Sequence, residues 1–213
     1  MSNTLRPANI SRISIDDPFF GAYVSMIANS ILPLQWEALS GHVAIADAHQ
    51  TEALNGRLTN EKASSCIENF RIAAGELQGE HSGAVFQDTD AYKWLEAVAF
   101  CIEIGKGDGL REKAEELIAL IERAQQPDGY LNTYFTIAHP EQRWMNLAEG
   151  HELYCAGHLI EAAVAYHRAT GSEALLKVAT RFADLIATVF GPEEGKCKGY
   201  PGHQEIEVAL VKL

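Results

Sequence analysis

The stretch Ala97-Val98-Ala99-Phe100 recurs 66 residues further along the chain as Ala163-Val164-Ala165-Tyr166. Gly105 and Gly171 keep the same offset, so each copy is an apolar segment of helical period closed by a glycine. An amphipathic second helix is predicted after each glycine. Units of this kind bury their apolar faces only by stacking on neighbours. The repeat therefore predicts helical hairpins that pack side by side.

Helical periodicity runs through most of the chain, between loops that contain glycine and proline. The predicted helices are Tyr23–Leu39 with a kink at Pro33, Cys66–Leu77, Asp88–Ile104 with Asp88 as N-cap, Asp108–Gln125 with Asp108 as N-cap, Glu149–Thr170, a helix capped by Ser172 that runs to Phe190, and His203–Leu213. Alternation typical of strands is scarce. Short and long connections alternate, which favours an α/α toroid over a four-helix bundle. The predicted fold class is all-α, an incomplete (α/α)6 toroid of helical hairpins.

The last predicted helix stays apolar up to Leu213, without a stop signal. A ring of six hairpins at this spacing needs roughly 330 residues, and only about three and a half hairpins are present. We therefore expect residues 1–213 to be the N-terminal part of one (α/α)6 barrel catalytic domain, truncated at its C-terminal end. We also expect the uncovered edge to be a surface for self-association.

Composition excludes several classes of partner. The chain has a formal net charge of −12 and no run of basic residues, so neither nucleic acid nor an anionic membrane is an expected partner. No signal-peptide core and no membrane-spanning stretch is present. The four cysteines lie far apart without a CxxC motif, as reduced thiols of a cytoplasmic protein do; they are Cys66, Cys101, Cys155 and Cys197.

Three polar residues open the predicted first helices of successive hairpins: Asp88, His151 and His203. All inner helices of a toroid start at the same end of the ring, so these residues are predicted to line one rim. An imidazole offers one donor and one acceptor, which suits the hydroxyl groups of a sugar. The three residues are therefore candidate substrate-binding residues. The alternatives are that Asp88 only caps its helix and that both histidines are structural.

Other candidate sites are weaker. His151, Cys155 and His158 share a helical face, which suits either a metal site or, as we favour, a packed interior face. The loop that carries Tyr134 and Trp144 suits either sugar stacking or closure onto the core. Asp88 and Asp90 point apart on a helix, so they are not an acid/base pair. No Ser-His-Asp order, P-loop or GxGxxG motif is present. We assign neither a catalytic residue nor a metal ligand to this chain.

Several motifs together resemble the N-terminal half of the catalytic domain of glycoside hydrolase family 127, which contains bacterial β-L-arabinofuranosidases. The resemblance runs from about Asp17 to Leu213, with a poor match over 44–63. The motifs are Ala74-Gly75-Glu76-Leu77, Val85-Phe86-Gln87-Asp88-Thr89-Asp90, Tyr92-Lys93-Trp94-Leu95-Glu96, Arg123-Ala124-Gln125-Gln126-Pro127-Asp128-Gly129-Tyr130-Leu131, His151-Glu152-Leu153-Tyr154, Gly157-His158-Leu159-Ile160-Glu161-Ala162-Ala163-Val164-Ala165-Tyr166-His167 and Gly202-His203-Gln204-Glu205-Ile206-Glu207.

This resemblance implies an (α/α)6 barrel followed by β-domains. It implies a retaining glycosidase whose cysteine nucleophile is held by a zinc ion, with cysteine and glutamate ligands, and a separate glutamate as acid/base. Those residues belong to later parts of the family's sequence, and none of the four cysteines here lies in the matching context. By the same resemblance, His151 and His203 match positions that hydrogen-bond the arabinofuranose.

The expected function is therefore that of a fragment of a retaining glycosidase that removes terminal L-arabinofuranose from glycans or glycoconjugates, inactive by itself. Two alternatives stay open. One is another (α/α)6 sugar enzyme, such as an epimerase that uses histidines as acid and base. The other is a non-catalytic helical module from a truncated gene.

Overall fold

The computed structural model describes residues 10–43 and 64–213, and these are almost entirely helical. The helices are α1 (Pro18–Met26), α2 (Leu32–Leu39), α3 (Cys66–Ala73), α4 (Asp88–Glu103), α5 (Arg111–Ala124), α6 (Thr133–Ala138), α7 (Glu152–Thr170), α8 (Ala174–Val189) and α9 (Glu205–Lys212). In this part of the chain the only β-type pairing is an isolated bridge between Phe190 and Cys197. The predicted all-α class is confirmed. The poorly matching segment 44–63 lies outside the described residues.

The helices form two layers. Helices α4, α7 and α9 pack side by side in one layer, while α3, α5 and α8 pack side by side in the other. Helix α5 also packs on α4, and α8 on α7, so each pair is a hairpin that connects the layers. This is the inner and outer arrangement of an α/α toroid arc, as the repeat predicted. No helix among the described residues has both the length and the apolar character needed to cross a membrane.

The two repeat units end in the same way. Gly105 follows α4 with φ of 73°, and Gly171 follows α7 with φ of 76°. This left-handed conformation costs glycine little, and it allows the chain to leave a helix and turn back sharply. Helix α5 is amphipathic as predicted, since Leu117 and Ile121 are buried while Glu115 is exposed. The internal repeat is therefore a repeat of structure as well as of sequence.

The first helix begins earlier than the predicted Tyr23. Asp17 accepts hydrogen bonds from the backbone N–H groups of Phe19 and Phe20, and Pro18 occupies the first helical position. An N-cap aspartate followed by proline is a strong start signal, which the apolar periodicity alone did not reveal. In place of a simple kink at Pro33, a π-helical segment, Ile27–Ile31, joins α1 to α2. The missing N–H of proline accounts for the irregularity just before it.

Two other boundaries differ from the predictions. Asp108 starts a short 3-10 turn, Asp108–Leu110, that leads into α5, and its side chain makes no capping hydrogen bond. The long loop after α5 contains a helix that was not predicted, α6, which is capped by Asn132. Its six residues are too few for a periodic apolar pattern to show, so only the asparagine cap marks it.

The contact between α7 and α9 depends on a glycine. A Cβ atom at Gly157 would lie 2.6 Å from Cγ of Glu205 and 3.0 Å from the backbone N of Ile206. No other residue type fits between the two helices at this distance. Gly157 therefore fixes how closely the start of α9 approaches the middle of α7.

We predict that Gly157→Ala lowers the free energy of unfolding by about 1–3 kcal/mol, because the added methyl group overpacks this contact. Alanine in a helix normally stabilises relative to glycine by up to about 1 kcal/mol, so the expected sign is opposite to that of helix propensity. Urea unfolding followed by circular dichroism measures it. Gly109→Ala is the matched control, since a Cβ atom there meets no atom within 4 Å. A Gly157→Ala variant as stable as that control would contradict the prediction.

Candidate sugar-binding site

Two histidines from distant parts of the sequence lie next to each other. His151 immediately precedes α7, and His203 lies two residues before α9. Their ring centroids are 5.2 Å apart, with the ring planes inclined by 44°. The structure therefore brings together the two histidines that the hairpin geometry placed on one rim.

Aromatic and basic side chains surround this pair. Phe86 lies against His151, with ring centroids 5.1 Å apart, and is itself partly exposed. Tyr154 contacts both histidines, at 5.7 Å from His151 and 5.1 Å from His203. Lys93 on α4 donates a hydrogen bond of 2.8 Å to the Tyr154 hydroxyl. We call Phe86, Lys93, His151, Tyr154 and His203 the histidine cluster.

His158 lies one helical turn further along α7. Its ring packs edge-on against Tyr154, and its Nδ1 lies 3.4 Å from a carboxylate oxygen of Glu205. Burial, with a smaller effect of the nearby Lys93 charge, lowers the pKa of His158 to about 4. The imidazole is therefore neutral near pH 7, and its contact with Glu205 is not an ion pair there despite the short distance.

Asp88 does not cap its helix, so that sequence-based prediction is wrong. It is the first residue of α4 and is 1% exposed. Its carboxylate accepts hydrogen bonds from the backbone N–H and the hydroxyl of Thr133, at 2.8 Å and 2.5 Å. The reason is that the loop after α5 folds back over the start of α4 and supplies donors from outside the helix. Asp88 is thus buried beneath the rim that carries the two histidines. Its direct contact with a sugar stays a prediction, and the burial of its side chain argues against that contact.

Sequence reasoning missed Glu152. It is the first residue of α7 and is also 1% exposed. One carboxylate oxygen accepts from the Tyr130 hydroxyl at 2.5 Å, and the other accepts from the backbone N–H of Trp144 at 2.7 Å. Acidic residues are common in the first turn of a helix, because their negative charge interacts favourably with the positive end of the helix dipole. The residue type and position of Glu152 therefore gave no sign that its side chain is buried.

Of the two alternatives for the loop aromatics, the structure shows closure onto the core, because Tyr134 and Trp144 both pack against buried hydrophobic residues. Tyr130 is fully buried and packs edge-on against both Trp144 and Phe182. Arg143 lies over the Tyr130 ring, 3.9 Å from its centroid, and pairs with Asp128 at 3.2 Å. These rings are occupied by protein contacts on several sides. They shape the site from behind and do not form a stacking platform for a sugar.

The described residues 10–43 and 64–213 do not form a zinc site. In the described parts of the chain, His, Cys, Asp and Glu side chains form no group of three or more that could hold a metal ion. Cys155, between His151 and His158 on α7, is fully buried, and this burial raises the pKa of its thiol well above the usual value. A protonated, buried thiol is neither a ready ligand nor a nucleophile. The zinc that the family resemblance implies therefore does not fit these residues, and we assign it no ligand.

The histidine cluster suits a neutral, hydroxyl-rich ligand. Imidazole and phenol groups donate and accept hydrogen bonds, and the lysine adds a donor. Phe86 and Tyr154 supply apolar ring surface beside these polar atoms, which is the mixture that the two faces of a furanose ring require. The cluster is therefore suited to bind a sugar. Its five residues include no carboxylic acid and no cysteine, so they do not supply the nucleophile and acid pair of a glycosidase.

We predict that Asp88 makes stability depend on pH. Burial raises the pKa of Asp88 to about 6, although its hydrogen bonds with Thr133 oppose the shift. An unfolded aspartate has a pKa of about 4, so the folded chain binds this proton more tightly. The resulting stabilisation is complete below about pH 4 and is lost as the pH rises through 6.

Chemical unfolding of the wild type and of Asp88→Asn between pH 5 and 8 tests this. The stability advantage of the wild type over the variant should increase by about 1–2 kcal/mol on going from pH 8 to pH 5. Asp184→Asn, which alters an exposed aspartate of α8, is the control for the loss of a negative charge. Equal pH dependence in the two variants would contradict the prediction.

Comparison with known proteins agrees with this fold. The sequence model of the family described as "Beta-L-arabinofuranosidase, GH127 catalytic domain" matches residues 12–213. A non-reducing end β-L-arabinofuranosidase of Bifidobacterium longum subsp. longum is 40% identical over 205 residues, which is 94% of this chain and 31% of that protein.

Two solved structures have the same fold. The crystal structure of a GH127 β-L-arabinofuranosidase from Geobacillus stearothermophilus T6 is 51% identical, with a TM-score of 0.84, over 94% of this chain and 29% of that one. The GH127 β-arabinofuranosidase BT3674 is 29% identical, with a TM-score of 0.79, over 97% of this chain and 30% of that one. The chain thus spans about a third of the length of these relatives. With the family's sequence model matched along nearly its whole length, this chain belongs to the GH127 catalytic-domain family.

Proposed function

We propose that this chain supplies the sugar-binding wall of a β-L-arabinofuranosidase, a retaining glycosidase that removes terminal L-arabinofuranose from glycans or glycoconjugates. Residues 1–213 would then be the N-terminal part of one (α/α)6 barrel catalytic domain. The relatives named above support the substrate, since they are named as β-L-arabinofuranosidases or as a β-arabinofuranosidase. The observation that carries the proposal is the pair of adjacent imidazoles, His151 and His203.

The orientation of His151 gives it a defined role. Its Nδ1 lies 2.6 Å from the carbonyl oxygen of Glu149, so Nδ1 carries the proton and donates to that oxygen. In a neutral imidazole of this tautomer, Nε2 is an acceptor for a hydroxyl group of the sugar. His203 is exposed beside it and provides a second polar contact. In this proposal the two residues bind neighbouring hydroxyl groups of one arabinofuranose.

The chemical steps belong to other parts of such a domain. A retaining glycosidase needs an activated nucleophile and a proton donor on either side of the bond that breaks. In this chain Cys66, Cys101 and Cys155 are buried thiols whose pKa values burial raises. Cys197 does not lie in the sequence context that the family resemblance implies for the nucleophile. We therefore place the cysteine nucleophile, the glutamate acid/base and the zinc ligands outside these 213 residues.

The epimerase alternative is not favoured by the geometry. Two histidines that act as acid and base from opposite sides of a sugar must leave room for it between them. Ring centroids 5.2 Å apart leave no such room. The pair is better suited to contact one side of a ligand.

The location and the association state complete the proposal. Four free cysteines, three of them buried, support a cytoplasmic location. Self-association is supported by apolar side chains on α9 that are exposed, above all Val211, at 88%, and Val208, at 53%. Exposed aliphatic side chains of this kind are typical of contact surfaces.

We predict that methyl β-L-arabinofuranoside binds this chain at the histidine cluster and that His151→Ala and His203→Ala each weaken binding roughly tenfold or more. A buried hydrogen bond whose partner is left unsatisfied costs about 1–3 kcal/mol, which corresponds to this range. Titration followed by NMR of the histidine side chains measures the affinity. His167→Ala is the matched control, because His167 lies at the other end of α7 and contacts Ser172. Equal weakening by His167→Ala would show that the two site histidines act only through stability.

We further predict that the 213-residue chain releases no p-nitrophenol from p-nitrophenyl β-L-arabinofuranoside, with or without added zinc. The reason is that the proposed nucleophile and proton donor lie outside it. The Geobacillus stearothermophilus enzyme is the positive control in the same assay. Zinc-dependent turnover by the purified chain, retained after a contaminant-free preparation, would refute the assignment of the chemistry to other regions.

A further inference from the structure

Two residues beside the histidine cluster have an unusual backbone. Trp144 has φ of 65° and His151 has φ of 55°, and in the described part of the chain they are the only residues other than glycine with positive φ. The left-handed region costs a residue with a Cβ atom about 1–2 kcal/mol. Such a conformation persists only where the surroundings hold it.

Glu152 connects both of these residues. It directly follows His151 in sequence, and its Oε2 accepts the backbone N–H of Trp144 at 2.7 Å. Its Oε1 accepts the hydroxyl of the buried Tyr130 at 2.5 Å, so the carboxylate itself is held in place. The Trp144 hydrogen bond therefore ties the beginning of the 144–151 loop to Glu152, the residue directly after that loop, and the Tyr130 hydrogen bond holds Glu152 in place.

The loop between these residues is closely packed around Gly150. Gly150 donates a backbone hydrogen bond of 2.8 Å to the carbonyl oxygen of Asn146. A Cβ atom at Gly150 would lie 2.6 Å from that oxygen and 3.6 Å from Oε2 of Glu152. At Gly150 the chain thus passes close to both the carbonyl oxygen of Asn146 and the Glu152 carboxylate.

The backbone conformation of His151 decides where its ring points. In the observed conformation the ring lies between Phe86 and His203, with Nδ1 donating to the carbonyl oxygen of Glu149. A right-handed helical φ at this residue would swing the Cα–Cβ bond to another direction. The position of the imidazole therefore depends on whatever maintains the positive φ.

We propose that Glu152 is a positioning residue, whose buried carboxylate holds His151 in its left-handed conformation and so directs the imidazole toward His203. It acts through the loop and does not itself contact a sugar. The meaning of this role for catalysis rests on the proposed function, since only a sugar-binding His151 makes its position matter to activity. The geometric role of Glu152 stands independently of that.

Gln125 offers a control for Glu152, because it also fixes the chain between α5 and α7 through buried hydrogen bonds, but these do not involve the region of His151. Gln125 lies at the start of the longer connection from α5 to α7 that includes this loop, and its Nε2 donates hydrogen bonds of 2.9 Å to the carbonyl oxygens of Gly129 and Val178. It is buried, like Glu152, and it is distant in sequence from His151. Gln125→Ala is therefore a variant that loosens the loop without removing the contact proposed to position His151.

The test uses the 213-residue chain and the through-space NMR contact between the rings of His151 and His203. Glu152→Gln leaves only one acceptor oxygen for two donors, so we expect the contact to weaken, and Glu152→Ala should abolish it. Gln125→Ala should lower the Tm but keep the contact. Tyr130→Phe removes one of the two hydrogen bonds and should give an intermediate loss, which keeps the proposal testable if the Glu152 variants unfold.

Retention of the full contact in folded Glu152→Ala or in Tyr130→Phe would overturn the proposal. So would an equal loss in Gln125→Ala, because the effect would then follow general loosening of the loop. A second arm measures the affinity for methyl β-L-arabinofuranoside, which Glu152→Gln should weaken roughly tenfold. If the wild type binds no sugar, the proposed function fails while the ring contact still decides the role of Glu152.

Discussion

Helix α7 packs closely against α4, α8 and α9, and the rest of the structure depends on this close approach. The helix presents small residues to its neighbours, since Ala156, Ala162 and Ala163 are fully buried. The first turn of α9 packs directly against Gly157. Small side chains reduce the distance between helix axes, so the starts of neighbouring inner helices come within side-chain reach. Residues separated by about 50 positions in sequence therefore meet at one end of the inner layer.

The inner layer is unusual in the polar groups that it carries. Each of its three helices begins with an acidic residue, Asp88, Glu152 or Glu205. The first two are buried, and burial raises the pKa of Asp88 to about 6 and that of Glu152 to about 7. Hydrogen bonds from the loop after α5 offset part of the cost of removing these carboxylates from water. The same hydrogen bonds hold that loop against the starts of α4 and α7. The buried carboxylates therefore lower the stability of the fold but fix the position of the loop beside the histidine cluster.

Further polar contacts cross between the inner helices below the rim. Lys93 of α4 donates to Tyr154 of α7, and Lys212 of α9 pairs with Glu161 of α7, which is 7% exposed. A helical layer that only filled a core would carry apolar residues at these positions. In the proposed function, these polar groups of both signs belong to the sugar-binding wall. This face continues the histidine cluster along α7.

The sequence alone determined the helical class, the repeat, the glycines that end α4 and α7, and the placement of His151 and His203 at one end of the hairpins. Each of these follows from local periodicity or from the rule that stacked hairpins start at one end. The burial of Asp88 and Glu152, the α6 helix and the left-handed conformation of His151 were decided only by the tertiary structure. Acidic residues at the start of a helix look alike in sequence whether solvent or a folded loop satisfies them. Only the path of the chain after α5 brings Thr133, Tyr130 and Trp144 to these two carboxylates, and no local pattern encodes that path.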